Sequence, residues 1–295
     1  MKFEIVRNRK WFFLLSGLIT VAGIIVMLLF GLNLGTDFVA GTRVQVDLNQ
    51  TFQESQVLNI FKGLGYKVSA NDITTAGTDQ HTAVIRLRET ISTDQENKID
   101  DALKKQFPHE KGTQVDTVSP IVAKELSKNA FYAVLFASVG IVIYVAIRFE
   151  YRFGVSGIIA LLHDAFIVIS VFALLRLEVD IPFIAAVLTI VGYSINDTIV
   201  IFDRIRENLK NQKVKTLSEL ETLVNHSLWQ TMTRSINTVL TVIFADAMLF
   251  FFGGTSIHNF TFALLVGLIS GAYSSIFIAS PIWVVWRSRS LKKQS

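Results

Sequence analysis

Six stretches of the chain are apolar for long enough to cross a lipid bilayer as helices. One crossing takes about 20 predominantly apolar residues. The pattern therefore predicts an α-helical polytopic membrane protein with six transmembrane helices, of which the second to the sixth pack as one bundle. The six spans are expected at residues 11–30, 130–147, 156–175, 182–202, 234–252 and 259–286.

The long segment between the first two spans has a different pattern. Val44, Val46 and Leu48 alternate with polar residues, as in a half-buried strand. Further strand and helix patterns follow in the order β-α-β-β-α-β, which predicts a small α+β domain of ferredoxin-like type at residues 35–128. Its helices are expected to begin at two capping-box patterns: Thr51 with Glu54, and Ser92 with Gln95.

The composition agrees with a membrane protein and excludes several other classes. Of 295 residues, 51% are hydrophobic and 23 are Phe, which is too apolar for a soluble domain. The net charge of +4 comes from short basic flanks of the apolar spans, so it does not indicate nucleic-acid binding. The chain lacks Cys, which excludes disulfides and thiolate metal sites. With no phosphate-binding loop, zinc spacing or nucleophile elbow, we predict neither an enzyme nor a cofactor or metal site.

Lysine and arginine flank one end of the spans, and this asymmetry predicts the orientation. Both termini are expected to be cytoplasmic, with residues 1–34 holding the N-terminus and first span and the α+β domain outside. Residues 129–286 form the rest of the bundle, and 287–295 are a basic cytoplasmic tail. Within the bundle, residues 203–233 are amphipathic and are expected to lie along the cytoplasmic membrane face.

Asp197 is the most unusual residue of the fourth span. It follows Asn196 in a stretch that begins with Gly192, and an unpaired Asp in hydrocarbon costs about 2.5 kcal/mol or more. Two interpretations remain open. Asn196 and Asp197 either form interhelical hydrogen bonds, or Asp197 is a protonatable carboxyl group on an ion path.

His163 and Asp164 lie near the middle of the third span. Adjacent helical residues point about 100° apart, so one is expected to face the fourth span and the other a neighbouring subunit or a water cavity. A single intramembrane His is often a satisfied core residue, whereas a His-Asp pair near another buried Asp is typical of proton relays.

Arg234 begins the fifth span and is expected to reach the depth of Asp197, where its charge would keep that carboxylate ionised. The alternative is ordinary anchoring at the cytoplasmic face. Asp246 lies deeper in the same span, and the sequence assigns it no role. In the sixth span, Gly267 and Gly271 are four residues apart and predict a close helix–helix contact.

Several of these motifs resemble the SecF family of protein-translocation subunits, which is related to the RND transporters. The resemblance covers the whole chain. It includes the G-x-D-F-x-G-G motif at Gly35, Asp37, Phe38 and Gly41, with Ala40 in place of a Gly, and the His163-Asp164 pair. It also includes the stretches Gly192–Asn208, Thr233–Thr238 and Gly271–Phe277, the last with Ala272 in place of Thr.

The resemblance implies a protein of the plasma (cell) membrane, with six spans in an RND-like bundle and an exported ferredoxin-like domain between the first two. It implies pairing with SecD beside the SecYEG channel, where SecY conducts an exported unfolded polypeptide. It further implies that Asp197 and Arg234 belong to a proton-coupled element, with Asn196, His163 and Asp164 as candidate assistants. The alternatives are a small-molecule exporter subunit of RND type and a purely structural subunit that stabilises its partner.

Overall fold

The computed structural model describes residues 3–76, 81–212 and 214–291. In the described part of the chain, the helices are α1 (Arg9–Phe30), α2 (Thr36–Val39), α3 (Glu54–Gly63), α4 (Thr93–Gln106), α5 (Pro120–Arg148), α6 (Tyr151–Leu175), α7 (Ile181–Asn211), α8 (Leu217–Phe252), α9 (Thr255–Ser274) and α10 (Ser280–Leu291). The strands are β1 (Asn33–Leu34), β2 (Gly41–Asp47), β3 (Ile73–Ala76), β4 (Thr82–Leu87), β5 (Gly112–Val118) and β6 (Glu178–Val179).

Six helical segments of the described chain are long and apolar enough to cross a membrane, as the sequence predicts. Five are the helices α1, α5, α6, α7 and α8. The sixth, Ser256–Arg289, combines α9 and α10, which a π-helical turn at Ser275–Ala279 joins without a break. The chain is therefore a multi-pass membrane protein with a predominantly helical fold.

Strands β2 to β5 form an antiparallel sheet in the order β3-β4-β2-β5, with β2 paired on both sides. Helices α3 and α4 share one core with the sheet, where Phe61 of α3 and Leu103 of α4 join Val44, Val46 and Ile85, all fully buried. The alternation around Val44 thus places these side chains against the helices. Strand β3 has four residues and follows a 3-10 turn at Ala70–Asp72.

The capping-box predictions have different outcomes. Ser92 and Gln95 form the predicted box at the start of α4. The prediction for Thr51 with Glu54 is wrong, because α3 begins at Glu54 and the box joins Gln53 with Gln56.

Helix α7 lies at the centre of the bundle, in contact with α6, α8 and α9, while α1 packs on α6. Helix α5 is the least embedded, since among its residues only Ala123 and Val145 are buried. These contacts place α7, which carries Asp197, among three other spans.

The amphipathic segment 203–233 does not lie along a membrane face as expected. It consists of the end of α7 and the start of α8, and α8 continues from Leu217 to Phe252 as one helix. Its apolar side chains are buried in a core that also contains Ile5 and Val6, so they cover protein rather than lipid. The buried members are Leu220, Leu223, Val224 and Leu228. Residue 213 and the last four residues of the tail, 292–295, lie outside the described residues.

The N-terminal segment is attached to the start of α8. The backbone N–H of Ile5 donates to Oδ1 of Asn225 at 2.8 Å, and the indole Nε1 of Trp229 donates to the carbonyl of Phe3 at 3.0 Å. Arg9 and Glu221 form an ion pair at 2.5 Å. These contacts hold the beginning of α1 against the helical hairpin of α7 and α8.

Candidate functional site

Asp164 is fully buried and is enclosed by three serine hydroxyl groups. Ser194 of α7 and Ser274 of α9 donate to its Oδ2 at 2.7 and 2.6 Å, and Ser270 of α9 donates to its Oδ1 at 2.7 Å. A buried carboxylate needs hydrogen-bond donors on both oxygens, and these serines supply them. Asp164 therefore joins α6, α7 and α9 at one point, here called the serine cage.

His163 lies beside the serine cage, with Nδ1 at 3.3 Å from Oδ1 of Asp164. Its ring faces Tyr273 at a centroid distance of 6.3 Å, and its Nε2 is buried without a hydrogen-bond partner among the described residues. Tyr273 in turn donates to the carbonyl of Phe12 and accepts from Ser16, both at 3.2 Å. His163 thus faces Tyr273 of α9, whereas Asp164 faces α7.

Asp197 is 7% exposed, and its Oδ2 has no hydrogen-bond partner in the described part of the chain. It borders a cleft of about 10 Å³ between α7, α8 and α9, lined also by Val239, Gly267 and Gly271. This volume is close to the minimum for one water molecule. The carboxylate and the cleft together form a place where a proton or a water molecule can meet Asp197.

Helix α8 brings Ser235 and the charge of Arg234 close enough to interact with Asp197. Ser235 is 1% exposed, and its hydroxyl group has no hydrogen-bond partner in the described structure. Arg234 is exposed, and within the described residues no ion pair under 4.0 Å joins it to Asp197. The structure thus brings Arg234 into electrostatic range of Asp197 but not into direct contact.

Asn196 and Gly192 lie on the exposed side of α7, away from the serine cage. A Cβ atom added to Gly192 would meet no atom within 4 Å, and Tyr193 beside it is 40% exposed. This face of α7 has no neighbour within the described chain at Gly192. Asn196 is therefore not brought together with Asp164.

Gly267 and Gly271 allow α9 to approach α7 closely. A Cβ at Gly267 would lie only 2.2 Å from Cδ1 of Ile190, and one at Gly271 would lie 3.2 Å from Cβ of Ser194. The close approach places Ser194 where it also reaches Asp164. The same row of small residues therefore brings together the cleft at Asp197 and the serine cage.

The π-helical turn Ser275–Ala279 begins directly after Ser274 of the cage. Ser275 forms a hydrogen bond of 2.8 Å with Thr198 of α7, one turn from Ser194. Single π-helical turns within α-helices occur frequently at functional sites. Here the turn adjusts α9 so that consecutive serines face both Asp164 and Thr198.

The loop Gly35–Gly41 connects the sheet domain to the start of α7. Strand β1 pairs in parallel with β6, and the N–H of Gly35 donates to the carbonyl of Val179 at 2.8 Å. Oδ2 of Asp37 accepts from the backbone N–H of Ile181 at 3.0 Å. Phe38 packs against the core that contains Phe183 and Ile190. The loop thus holds the first turn of the helix that carries Asp197.

A side chain at either of two glycines of this loop would meet a close contact, with a flexible side chain at Gly35 and with backbone at Gly41. A Cβ at Gly35 would lie 2.6 Å from Oε1 of Glu178, and one at Gly41, where φ is +129°, would lie 2.2 Å from the carbonyl oxygen of Leu87. Ala40 adopts φ 63° and ψ 163°, a conformation populated almost only by Gly. This backbone conformation explains why the family motif has a Gly at this position. Ala40, which replaces that Gly, is strained.

Asp180 is a buried carboxylic residue that the sequence pattern did not reveal. Its Oδ1 accepts from the N–H of Phe183 at 2.8 Å as the N-cap of α7. Burial raises the pKa of Asp180 to about 6, and the negative charges of Glu178 and Asp37 act in the same direction, while Phe183 N–H and Arg43 oppose them. Its place directly before Ile181 and Pro182, at the start of a span, is a signal that identifies it as a cap.

The serine cage was also only partly visible in the sequence. Ser270 and Ser274 are one turn apart in the glycine-rich face of α9, which indicates a polar contact, but the sequence does not identify Asp164 as their acceptor. Across residues 3–76, 81–212 and 214–291, no three His, Asp or Glu side chains come together to hold a metal ion.

Two family models match the chain. Residues 98–289 match the model described as protein export membrane protein SecD/SecF, C-terminal, a range that begins within α4 and ends within α10. Residues 25–51 match the SecD/SecF GG motif, which includes the loop Gly35–Gly41. Both matches fall on the elements that form the site.

Relatives with known names are similar over the whole chain. A protein translocase subunit SecF of Alicyclobacillus acidocaldarius is 59% identical over 293 residues, covering 99% of this chain and 95% of the relative. A protein translocase subunit SecDF of Bacillus subtilis is 48% identical over 301 residues, covering all of this chain but only 39% of the relative. A crystal structure of a translocon-associated SecDF from Thermus superposes with a TM-score of 0.86 at 32% identity, covering 98% of this chain and 39% of that one.

Proposed function

The chain belongs to the SecD/SecF family of protein export membrane proteins, and we propose that it couples proton movement at Asp197 to the export of polypeptides. It is a SecF-type translocase subunit, and the fused SecDF relatives support SecD as its partner. The further partners in this proposal are the SecYEG channel, through SecY, and the unfolded polypeptide that emerges from it. The role is transport without a chemical reaction on the polypeptide.

The observation that carries the proposal is that Asp197 is buried and lacks a full set of hydrogen bonds within the described residues. Its carboxylate is 7% exposed, has an oxygen without a partner among the described residues and borders a cleft that fits about one water molecule. Arg234 lies in electrostatic range without a direct ion pair. A small movement of α8 toward α7 would favour the ionised carboxylate, and a movement away would favour the protonated one.

The energy of one proton suffices for such a movement. One charge that crosses the membrane potential gains about 2.3 kcal/mol per 100 mV, which biases a two-state equilibrium by a factor of roughly 50. In the proposal, His163 and Asp164 assist the coupling by holding α6, α7 and α9 together beside Asp197. Asn196 then faces the SecD partner.

The movement reaches the sheet domain through the start of α7. Asp37 binds the N–H of Ile181, and β1 pairs with β6, so a shift of α7 along its axis displaces the loop Gly35–Gly41. In the proposal, residues 35–128 form a ferredoxin-like domain outside the plasma membrane that holds the emerging polypeptide. The strand order β3-β4-β2-β5 supports this domain type. Both termini, the end of α7 and the start of α8 then lie in the cytoplasm, where their basic residues favour that side.

Asp197→Asn tests the proposal in vesicles that contain this chain, its SecD partner and the channel. The gradient-dependent stage of export should be lost while the complex still assembles, because Asn has the same shape but binds no proton. Glu207→Gln is the matched control, since Glu207 is an exposed acidic residue of the same helix. Full gradient-dependent export by Asp197→Asn would contradict the proposal and favour a purely structural subunit.

A further inference from the structure

Asp246 is a buried carboxylic residue in the membrane-spanning part, like Asp164 and Asp197, and the proposed coupling at Asp197 gives it no role. It lies in α8, about two turns before the helix ends, and is 3% exposed. Neither Oδ1 nor Oδ2 has a hydrogen-bond partner within the described residues. An isolated carboxylate in hydrocarbon costs about 2.5 kcal/mol or more, so an ionised Asp246 would be strongly disfavoured here.

The face of α8 that contains Asp246 also contains residues of the Asp197 site. Ser235, Val239 and Asp246 are spaced at whole helical turns, and Val239 lines the cleft beside Asp197. At 1.5 Å per residue, Asp246 lies about 10 Å from Val239 and about 16 Å from Ser235 along the axis. Asp246 therefore lies on the same buried face as the neighbours of Asp197, nearer the turn between α8 and α9.

The helices packed against α8 offer Asp246 no close cation in the described structure. Phe250, one turn further along α8, stacks on His258 of α9 with ring centroids 4.2 Å apart, so His258 is displaced toward the α8–α9 turn. Among the described residues, no ion pair within 4.0 Å involves Asp246. The other titratable or charged groups on α8 and on the elements that pack against it belong to the polar half of the bundle. They are Tyr193, Asp197, Asp203, Arg204, Arg206, Glu207 and Lys210 of α7, Tyr273 of α9, Arg287 and Arg289 of α10, and Glu219, Glu221, His226 and Arg234 of α8 itself.

We propose that Asp246 is a second proton-binding site, held as a neutral carboxylic acid on the buried face that α8 shares with the Asp197 cleft. A proton satisfies a carboxyl group without further ligands, whereas a metal cation needs several oxygen ligands, and the described residues include no group of three His, Asp or Glu side chains that could hold one. A cation from another subunit cannot reach a side chain with so little exposed area unless α8 separates from α9.

The site releases its proton when α8 moves relative to α9 and water reaches the carboxyl group. The O–H bond of Asp246 then breaks, the proton passes to that water, and the carboxylate is hydrated. This step rests on the proposed movement of α8 at Asp197, but the protonation of Asp246 in the resting structure does not depend on that movement. The two statements can therefore be tested separately.

Infrared difference spectroscopy of the membrane-embedded chain tests the resting state directly. The wild type at neutral pH should show the carbonyl band of a protonated carboxylic acid, Asp246→Asn should lose it, and Asp246→Glu should shift it. Asp197→Asn and Asp164→Asn, each of which removes another buried carboxylic residue of the spans, should retain the band. If Asp246→Asn leaves every carboxylic acid band in place, Asp246 is ionised and the proposal is wrong.

A functional readout then tests the coupling. Because Asn is isosteric with a neutral Asp, Asp246→Asn should assemble normally with its partner, and its gradient-dependent export should depend less on pH than that of the wild type. If the infrared band is assigned to Asp246 but export by Asp246→Asn has the same pH profile as export by the wild type, the release step is wrong. The proposed role of Asp197 is then unaffected. Loss of export by Asp197→Asn with normal export by Asp246→Asn would overturn the release step in the same way.

Discussion

The carboxylate of Asp37 and the backbone N–H of Ile181 are 3.0 Å apart and form a hydrogen bond between two distant parts of the chain. Ile181 is the first residue of α7, whose free N–H groups require acceptors. Asp180 supplies one acceptor from the adjacent position and Asp37 supplies another from the loop of the sheet domain. The start of the helix that carries Asp197 is thus capped by two separate elements.

Removal of the Asp37 cap should loosen this connection. Asp37→Ala should lower the free energy of unfolding by about 1 kcal/mol, the usual effect of a lost N-cap, and should reduce export more than this loss of stability explains. Thermal unfolding in detergent and gradient-dependent export measure the two effects. Asp116→Ala is the control, since Asp116 is an exposed aspartate of β5 whose side chain accepts a hydrogen bond from Gln114 of the same strand. Equal export by the two variants would show that Asp37 does not transmit motion.

The serine cage should contribute measurably to stability. Ser274→Ala removes a donor from the buried carboxylate of Asp164, and hydrogen bonds to charged groups contribute about 1.5–3 kcal/mol. The variant should therefore unfold at a lower temperature than Ser288→Ala, where the lost bond of 2.9 Å goes only to the carbonyl of Val285. Identical melting temperatures of the two variants would show that the Ser274–Asp164 hydrogen bond contributes no more to stability than the Ser288–Val285 bond.

Asp180 should make stability depend on pH in mildly acidic solution. Its pKa is about 6 in the folded chain against an ordinary value of 3.8, so the folded state binds the proton more tightly than the unfolded state. Stability from this group is therefore greatest below pH 3.8, decreases as the pH rises to about 6, and is constant above that. The total decrease is on the order of 3 kcal/mol.

Asp180→Asn should remove this decrease and keep the helix cap, because Asn is also a good N-cap residue. Denaturant unfolding of both proteins between about pH 4 and 7 measures the difference, with the wild type becoming relatively less stable as the pH rises. A constant difference across this range would mean that Asp180 is ionised throughout.

Ala40→Gly should stabilise the chain. Ala40 has φ 63° and ψ 163°, and a non-Gly residue in such a conformation costs of order 1–3 kcal/mol. Ala123→Gly in α5 is a control of opposite sign, since Gly within a helix is about 1 kcal/mol less favourable than Ala. Thermal unfolding should therefore place the two variants on opposite sides of the wild type.

The membrane spans were predictable because each depends on local composition alone. The same holds for the buried side chains of β2 and for the Ser92–Gln95 cap, which need only neighbouring residues. The cap of α3 was misplaced by two residues because Thr51 and Gln53 offer competing side-chain acceptors. The position of residues 203–233 was wrong because an amphipathic stripe does not reveal whether lipid or protein covers it.

The sequence was enough to predict which residues form the site, but not which side chains they contact. The sequence identified Asp164 and Asp197 as buried carboxylic residues, since both interrupt apolar spans. It could not show that Asp164 has three donors while Asp197 has an oxygen with none in the described structure, because the donors come from helices distant in the chain. Asp180 was missed because an aspartate before a helix usually lies in solvent, and its burial depends on the sheet-domain loop.

The contact of the N-terminal segment with α8 also determines an order of events during synthesis. Ile5 is synthesised 220 residues before its partner Asn225. The spans α5, α6 and α7 must all be made before Asn225 and Trp229 exist as acceptor and donor. The first span is therefore made early but fixed late, and the nascent chain keeps its N-terminal segment unattached until the beginning of α8 is synthesised.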